Sequence, residues 1–459
     1  MSKDYRRYSL WLDGVPGDLA PRAALRGSTA VDVAIVGAGY TGLWTAYYLK
    51  KADPSLRIAV LEKEIAGFGA SGRNGGWCSS FFAASPGTIA AEFGRDAAVA
   101  MQRAMFATVD EVGRVVTDEG IDARFHKGGV LTLATADAQV TRLADEIAYE
   151  REWGFGEDDY VELTADEASA RLRVEGCRGA IWSPHCACLD PARLARGLAD
   201  VVERLGVTIY ERTPALALTP HEVPVPGAIV TADVVVNALE GYVATLPGHA
   251  RDRVPLYSVM IATEPLPQRF WDEVGWAGRE CFGDERQLII YAMRTEDDRI
   301  AIGGRGAPYH FGSQIKDEYD LAPKVFGELH HVLKTLFPAI GQARITHTWG
   351  GCLGVPRDWF TAVGYDKATG MAWAGGYVGD GVSTTNLAGR TLGELIAGAD
   401  HGLSGLPWVG HVSRPWEPEP LRFLGVNLAL AMMGSADRAE ARTGKPARRA
   451  DLTARLIGR

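Results

Sequence analysis

Cysteine, long apolar runs and blocks of positive charge are all scarce in this chain of 459 residues. The six cysteines, at 78, 177, 186, 188, 281 and 352, form no CxxC pair. Neither a disulfide framework nor a structural zinc or iron–sulfur site is therefore expected, and a reduced, cytoplasmic setting is. His185, Cys186 and Cys188 stand close together, but the CxC spacing lacks partners for a metal and reads as filler thiols. No stretch of about 18 apolar residues occurs, so no membrane span is expected. Leu428 to Met433 comes nearest, with Arg422 and Asn427 close before it, and reads as a buried or interfacial helix. The start, MSKDYRRYSLWLDGVPG, has basic residues with no apolar stretch after them, so no signal peptide is expected. A net charge of −9 without a lysine/arginine block argues against nucleic acid as a partner. No Ser/His/Asp or paired-carboxylate constellation stands out, which leaves the chemistry to a cofactor.

Glycine is what the chain has in excess. There are 54, where a share of about 7% would give about 32. Five short segments, 37–42, 67–76, 303–306, 350–354 and 375–381, hold 18 of them. In the first, VDVAIVG reads as a strand buried on both faces. GAGYTG follows at once, LWTAYYLKK has the spacing of a helix packed on a sheet, and LRIAVLE reads as a second parallel strand ending at Glu62. GxGxxG at Gly37, Gly39 and Gly42 thus stands in a strand–turn–helix context. Gly37 allows the tight turn, Gly39 lets backbone approach a pyrophosphate, and Gly42 lets the helix pack on the strand. Glu62 is placed to accept hydrogen bonds from a ribose diol. Tyr40, Thr41 and Lys63 flank these positions, and dinucleotide binding is expected.

The segment Gly69-Ala70-Ser71-Gly72-Arg73-Asn74-Gly75-Gly76 brings bare backbone against something flat or phosphorylated, with Arg73 and Asn74 adding charge and hydrogen bonding. With the GxGxxG unit, YAMRTEDDRIAIGGRG (291–306) and GGYVGDGV (375–382), it resembles the FAD-dependent amine and amino-acid oxidoreductases. That superfamily includes D-amino-acid oxidase, glycine oxidase and sarcosine oxidase. The likeness is strongest to the γ-glutamylputrescine oxidoreductase type, whose SGRNGG loop is characteristic, and it covers approximately residues 8 to 400.

The resemblance implies an α/β fold: a discontinuous Rossmann-like FAD-binding domain plus a substrate domain with an antiparallel β-sheet. The expected division is 28–90, 177–250 and 345–400 for the FAD-binding domain, 91–176 and 251–344 for the substrate domain, and 401–459 as a tail with a mobile, arginine-rich end. The local pattern agrees, with buried strands near 31, 57, 207, 234 and 372 and alternating ones near 128 and 254–302. It also predicts a helix over 88–119, a strand over GGVLTLATADAQV, and two strands in GAIVTADVVVNAL.

By the same resemblance, Gly37, Gly39 and Gly42 hold the pyrophosphate and Glu62 the ribose. Ser71, Gly72, Arg73, Asn74 and Gly75 line the ribityl–isoalloxazine part, and Gly376, Gly379, Asp380, Gly381 and Val382 close over the flavin's pyrimidine edge. A glycine turn opening a helix near Val382 presents N–H donors and a positive dipole end to charge on reduced flavin. Two departures from the family pattern are Asn237-Ala238-Leu239-Glu240-Gly241, where an alanine-threonine-glycine-like turn is usual, and Asp380, where histidine is frequent. Cys352 falls near where sarcosine oxidases tether flavin, but the flanking pattern differs, so non-covalent FAD is expected.

The substrate-facing and catalytic candidates are Tyr291, Arg305, His310 and Trp349, with Tyr257 and Met293 beside them. Arginine suits a carboxylate clamp and aromatic faces suit a cationic amine. The expected activity is oxidation of the C–N bond of an amine or amino acid by hydride transfer to flavin N5, followed by imine hydrolysis. Oxygen is the expected acceptor, giving hydrogen peroxide. The alternatives are a flavin-carrying subunit of a heteromeric dehydrogenase and oxidation of a 2-hydroxy acid on the same scaffold. Oligomerisation is left open.

Overall fold

Thr29–Val36 runs through the middle of a seven-stranded sheet in the computed structural model, which describes residues 3–304, 306–398 and 402–447. The order across this sheet is Ala362–Asp366, Met371–Gly375, Ala228–Asn237, Thr29–Val36, Ile58–Leu61, Thr208–Tyr210. Neighbours pair in parallel, except that Ala362–Asp366 runs antiparallel to Met371–Gly375 and Glu222–Val225 runs antiparallel to Ala228–Asn237. All five strands expected to be buried on both faces fall in this sheet, drawn from three separate pieces of chain. The helices Tyr40–Ala52 and Gly381–Ala397 cross closely on it. Gly389 permits this, because a Cβ there would lie 2.6 Å from the Cβ of Trp44.

An eight-stranded sheet carries most of the remaining strands, in the order Ile345–Val355, Val254–Thr263, Ile300–Gly304, Ile290–Arg294, Cys281–Asp284, Val130–Ala134, Gly179–Ser183, Val161–Leu163. It is antiparallel apart from the parallel pair Cys281–Asp284 and Val130–Ala134. Gly179–Ser183 and Ile345–Val355, which the division at 177 and 345 groups with the cofactor domain, hydrogen-bond into this second sheet. Trp77–Ser79 and Cys186–Cys188 form a separate two-stranded ribbon.

Three local readings are corrected. The helix expected over 88–119 is two, Pro86–Phe93 and Arg95–Asp118, broken at Gly94 with φ +86°. Only Val130–Ala134 of GGVLTLATADAQV is strand; Asp137 opens a helix to Trp153, and the Gln139 side chain accepts from the Thr135 N–H at the join. Ala228–Asn237 is one strand rather than two. Its first half alternates because it covers one face beside Glu222–Val225, while its second half is buried on both faces and so resembles a separate strand.

The C-terminal helix Leu421–Thr443 lies against the outside of the second sheet. Its Leu421, Leu424 and Leu428 are about 60% exposed, while Leu430, Met432 and Met433 are half-buried over a cavity, so of the two readings of Leu428 to Met433 the interfacial helix describes it and the buried one does not. Among the described residues no helix is long and apolar enough to cross a membrane. The arginine-rich end from 448 lies outside the described residues.

Candidate active site

Two glycine turns and one glycine loop meet at the carboxyl ends of the parallel strands. Gly37 ends the first strand with φ +109°, and a Cβ on it would lie 2.7 Å from the Ala238 carbonyl oxygen. Gly42 packs the following helix back on this turn, since its Cβ would stand 2.0 Å from the Gly37 oxygen. Gly39 occupies the helix N-cap with no side chain to cap the first turn. Tyr40 N–H donates to Ser71 Oγ at 2.9 Å, joining this turn to the glycine loop. Tyr377, in the late turn, shares a 2.9 Å hydrogen bond between its hydroxyl and Thr41 Oγ1, so the two turns are also tied to each other.

The loop at 69–76 is fixed from behind. Ser9 Oγ donates to the Gly72 carbonyl at 2.8 Å, Trp349 Nε1 to the Arg73 carbonyl at 2.9 Å, and Trp11 Nε1 to the Asn74 carbonyl at 2.8 Å. Asn74 braces the loop from within: its Nδ2 donates to the Ala70 and Ser71 carbonyls, and its Oδ1 accepts from Gly76 N–H. The Arg73 guanidinium turns into the protein. It donates to Asp320 Oδ2 at 2.6 Å, the Phe68 carbonyl at 2.8 Å and the Tyr242 hydroxyl at 2.8 Å. Burial pushes the Asp320 carboxyl up to about 6 even beside this cation.

The late turn bends through Gly376 (φ +81°) and Gly379 (φ +117°) into the helix Gly381–Ala397, whose N-cap is Asp380. Glu240 anchors it. The chain there is left-handed (φ +51°), and the carboxylate accepts from Gly376 N–H at 3.3 Å and Tyr377 N–H at 3.2 Å while pairing with Arg253 at 3.4 Å. Burial raises the Glu240 pKa above the usual carboxylate value. This is what the Asn237–Gly241 departure does: in place of a small turn it supplies a carboxylate that holds the next one.

Between these elements lies a cleft of about 220 Å³. Gly37, Gly39, Tyr40 and Thr41 line one end with Glu62 and Lys63; Ser71, Arg73 and Asn74 line its middle; Gly379, Gly381 and Val382 line the other end. Glu62 accepts from Ala38 N–H at 2.9 Å and Glu64 N–H at 2.8 Å, and burial pushes it up to about 7. Gly42, Gly72 and Gly376 do not line the cleft; they allow the backbone behind it to close. Cys352 lines it with a buried thiol whose pKa burial drives far above its ordinary value.

The cleft shares Ala70, Arg73, Asn74, Leu353, Gly379 and Val382 with a second cavity of about 370 Å³. Gly75, Trp77, Phe81, Phe82, Tyr291 and Asp380 line that cavity, as do Glu146, Ser258, Asp284 and Glu285. The Tyr291 ring lies between two glycines: a Cβ at Gly75 would be 2.6 Å from it and one at Gly303 2.4 Å. Its hydroxyl is 2.6 Å from Ser258 Oγ. Burial and the neighbouring Glu285 raise the Glu146 pKa. Among the described lining residues the one cationic side chain is Arg73, already paired with Asp320.

Of the four catalytic candidates the structure brings Tyr291 into this cavity. Trp349 is buried behind the glycine loop, His310 stacks on Tyr319 and lines neither cavity, and Arg305 lies outside the described residues. Tyr257 faces away because strand side chains alternate and its neighbour Ser258 faces in; Met293 packs against Gly76. Sequence reasoning missed Glu240, Asp320, Ser258 and the segment Ser9–Trp11, none of which carries a local motif.

The donor set fits a flavin dinucleotide: bare backbone where a Cβ would crowd the cleft, an uncapped helix start, a carboxylate at one end and a second helix N-terminus at the other. The family model for the DAO family, FAD dependent oxidoreductase, matches residues 32–395. The chain is 29% identical to gamma-glutamylputrescine oxidoreductase of Escherichia coli (strain K12) over 387 residues, 83% of this chain and 86% of that protein. It is 22% identical to glycine oxidase of Bacillus licheniformis over 80% of this chain and 93% of that one. The solved structure of glycine oxidase from Geobacillus kaustophilus aligns with a TM-score of 0.69 at 21% identity, over 84% of this chain and all of that one, a likeness of fold.

Proposed function

The chain belongs to the DAO family of FAD-dependent oxidoreductases and acts on amines or amino acids, and from that premise we propose the following course for its reaction. Bound FAD supplies a two-electron acceptor at N5 for the hydride on the carbon next to the substrate nitrogen, and oxygen then takes both electrons to give hydrogen peroxide. Water adds to the released imine, giving a carbonyl compound and an amine or ammonia.

The observation that carries this reading is the continuity of the two cavities across the glycine loop. Gly37, Gly39 and the start of the helix Tyr40–Ala52 hold the pyrophosphate, with Gly42 closing the turn behind them, and Glu62 accepts from the ribose. Ser71, Asn74 and Gly75 run along the ribityl–isoalloxazine part, with Gly72 closing the loop behind them, and Gly379 to Val382 direct the second helix N-terminus at the flavin's pyrimidine edge. Arg73, which lines both spaces, positions that loop through its pair with Asp320. Attachment is non-covalent. Tyr291, held between Gly75 and Gly303 and hydrogen-bonded to Ser258, is the wall against which the substrate is oriented. Aromatic faces and the Glu146–Glu285 pair favour an arriving cation, which supports an amine over a 2-hydroxy acid. The division of the chain given above follows this reading, with the strands Gly179–Ser183 and Ile345–Val355 joining the substrate sheet. Six free cysteines support a cytoplasmic setting.

The test is anaerobic titration of the purified holoprotein with glycine, sarcosine, L-proline, D-alanine and 1,4-diaminobutane. Bleaching of the flavin absorbance by one of them, reversed by air with release of peroxide, is the expected result. A flavin that none of these or a wider amine panel bleaches, but that a 2-hydroxy acid does, overturns the proposal.

A further inference from the structure

The loop at 285–289 joins the strands Cys281–Asp284 and Ile290–Arg294 and forms a wall between two spaces. Glu285 and Ile289 line the 370 Å³ cavity beside Tyr291. Gln287 and Leu288 line a separate apolar cavity of about 380 Å³ under the C-terminal helix. Glu285 N–H still reaches the Leu133 carbonyl at 3.3 Å, but the amides of Gln287 and Leu288 lie beyond the strands and must find their acceptors elsewhere. They find them on that helix. Asp437 Oδ1 accepts from Gln287 N–H at 2.7 Å and Oδ2 from Leu288 N–H at 2.8 Å, two charge-assisted bonds to successive amides. One turn on, Glu440 accepts from Arg142, which also donates to the Glu285 carbonyl. Gly434 receives Leu288: a Cβ there would lie 3.2 Å from Leu288 Cδ1. The helix is itself anchored upstream, where Asn427 exchanges hydrogen bonds of 3.0 and 3.1 Å with the Tyr309 backbone.

We propose that Asp437 is a positioning residue for the substrate: it fixes the loop at 285–289, and so sets where Glu285 and Ile289 stand in the cavity beside Tyr291. The C-terminal helix is thereby part of the substrate-binding apparatus, although none of its residues lines the substrate cavity among those described. This rests on the reading of that cavity as the substrate's. FAD contacts lie on other elements, so loss of the tie acts on substrate binding and leaves the cofactor in place.

The experiment compares the wild-type holoenzyme with Asp437→Asn, Gly434→Ala and, as a control on the same turn, the exposed Arg438→Ala. The probe is whichever of glycine, sarcosine, L-proline, D-alanine and 1,4-diaminobutane gives the wild type its highest kcat/KM. Asp437→Asn turns one accepting oxygen into a donor facing an N–H, and its KM is expected to rise roughly tenfold, with kcat and FAD content nearly unchanged. Gly434→Ala, which keeps both bonds but pushes on Leu288, is expected to move KM the same way by less. Arg438→Ala is expected to match the wild type. An unchanged KM in both Asp437→Asn and Gly434→Ala, or activity lost only in proportion to lost FAD, overturns the inference. A wild-type flavin that no amine reduces is a different result and overturns the reading of the cavity instead.

Discussion

Cofactor uptake is expected to be sensitive to pH near neutrality through Glu62. Its two oxygens accept from Ala38 and Glu64 N–H, and the residue lines the cleft where, on the proposed placement of FAD, a ribose diol donates to it. Burial is the largest influence and pushes its pKa up to about 7, from an ordinary value near 4.3. The direction follows from which form binds. A diol donates to the carboxylate, so taking up FAD favours the ionised form, and affinity falls as pH falls through 7. About ten in eleven molecules are ionised at pH 8 and about one in eleven at pH 6, so the Kd rises about tenfold, equivalent to about 1.4 kcal/mol. The assay is titration of apoprotein with FAD, followed by quenching of flavin fluorescence between pH 6 and 8. Glu62→Gln removes the titrating group: its affinity at pH 8 should drop toward the wild-type value at low pH, and its pH dependence should flatten. A wild-type Kd that does not change across this range, or a slope that survives in Glu62→Gln, would refute the argument.

Arg73→Ala leaves Asp320 buried without its cation, and breaking such a pair from one side costs about 3–5 kcal/mol. Urea unfolding of the holoprotein measures it, and a loss below about 1 kcal/mol would show that the pair is well compensated by other contacts. Gly42→Ala puts a Cβ 2.0 Å from the Gly37 oxygen, so the purified variant should be colourless, and a normal flavin spectrum would contradict this. Tyr291→Phe keeps the ring between its glycines and loses the bond to Ser258, so FAD content should hold while kcat/KM falls by roughly an order of magnitude. Gly303→Ala, which displaces the ring, should lose more activity than Tyr291→Phe, and the reverse order would argue that the hydroxyl matters more than the ring's place.

The cofactor half of the site is legible in the sequence because its geometry is local. A glycine three positions from another, between a buried strand and a helix, encodes the turn, and no distant residue is needed to interpret it. Arg73 shows the limit of such reading. Its place amid glycines marks the loop correctly, but the direction of its side chain depends on Asp320, 247 residues away. Glu240 is similar: its role is to accept from amides at 376 and 377, and only the fold brings them together. The substrate side is harder still. Tyr291, His310 and Trp349 are chemically equal candidates in the sequence. Which one faces the cavity depends on strand register and on which face of the second sheet meets the loop. The helix Asp137–Trp153 went unread because its first turn continues a run of small and β-branched residues from the strand before it.

The three carbonyls at 72, 73 and 74 are held by donors from residues 9, 349 and 11. The earliest part of the chain is thus waiting beside the loop long before its third donor exists. During synthesis the loop cannot take its final form until Trp349 has been made and has closed back across 276 residues, a late and slow contact by the entropy of loop closure. A nascent chain stopped short of that tryptophan therefore carries the early glycine motifs with one of the loop's three ties missing.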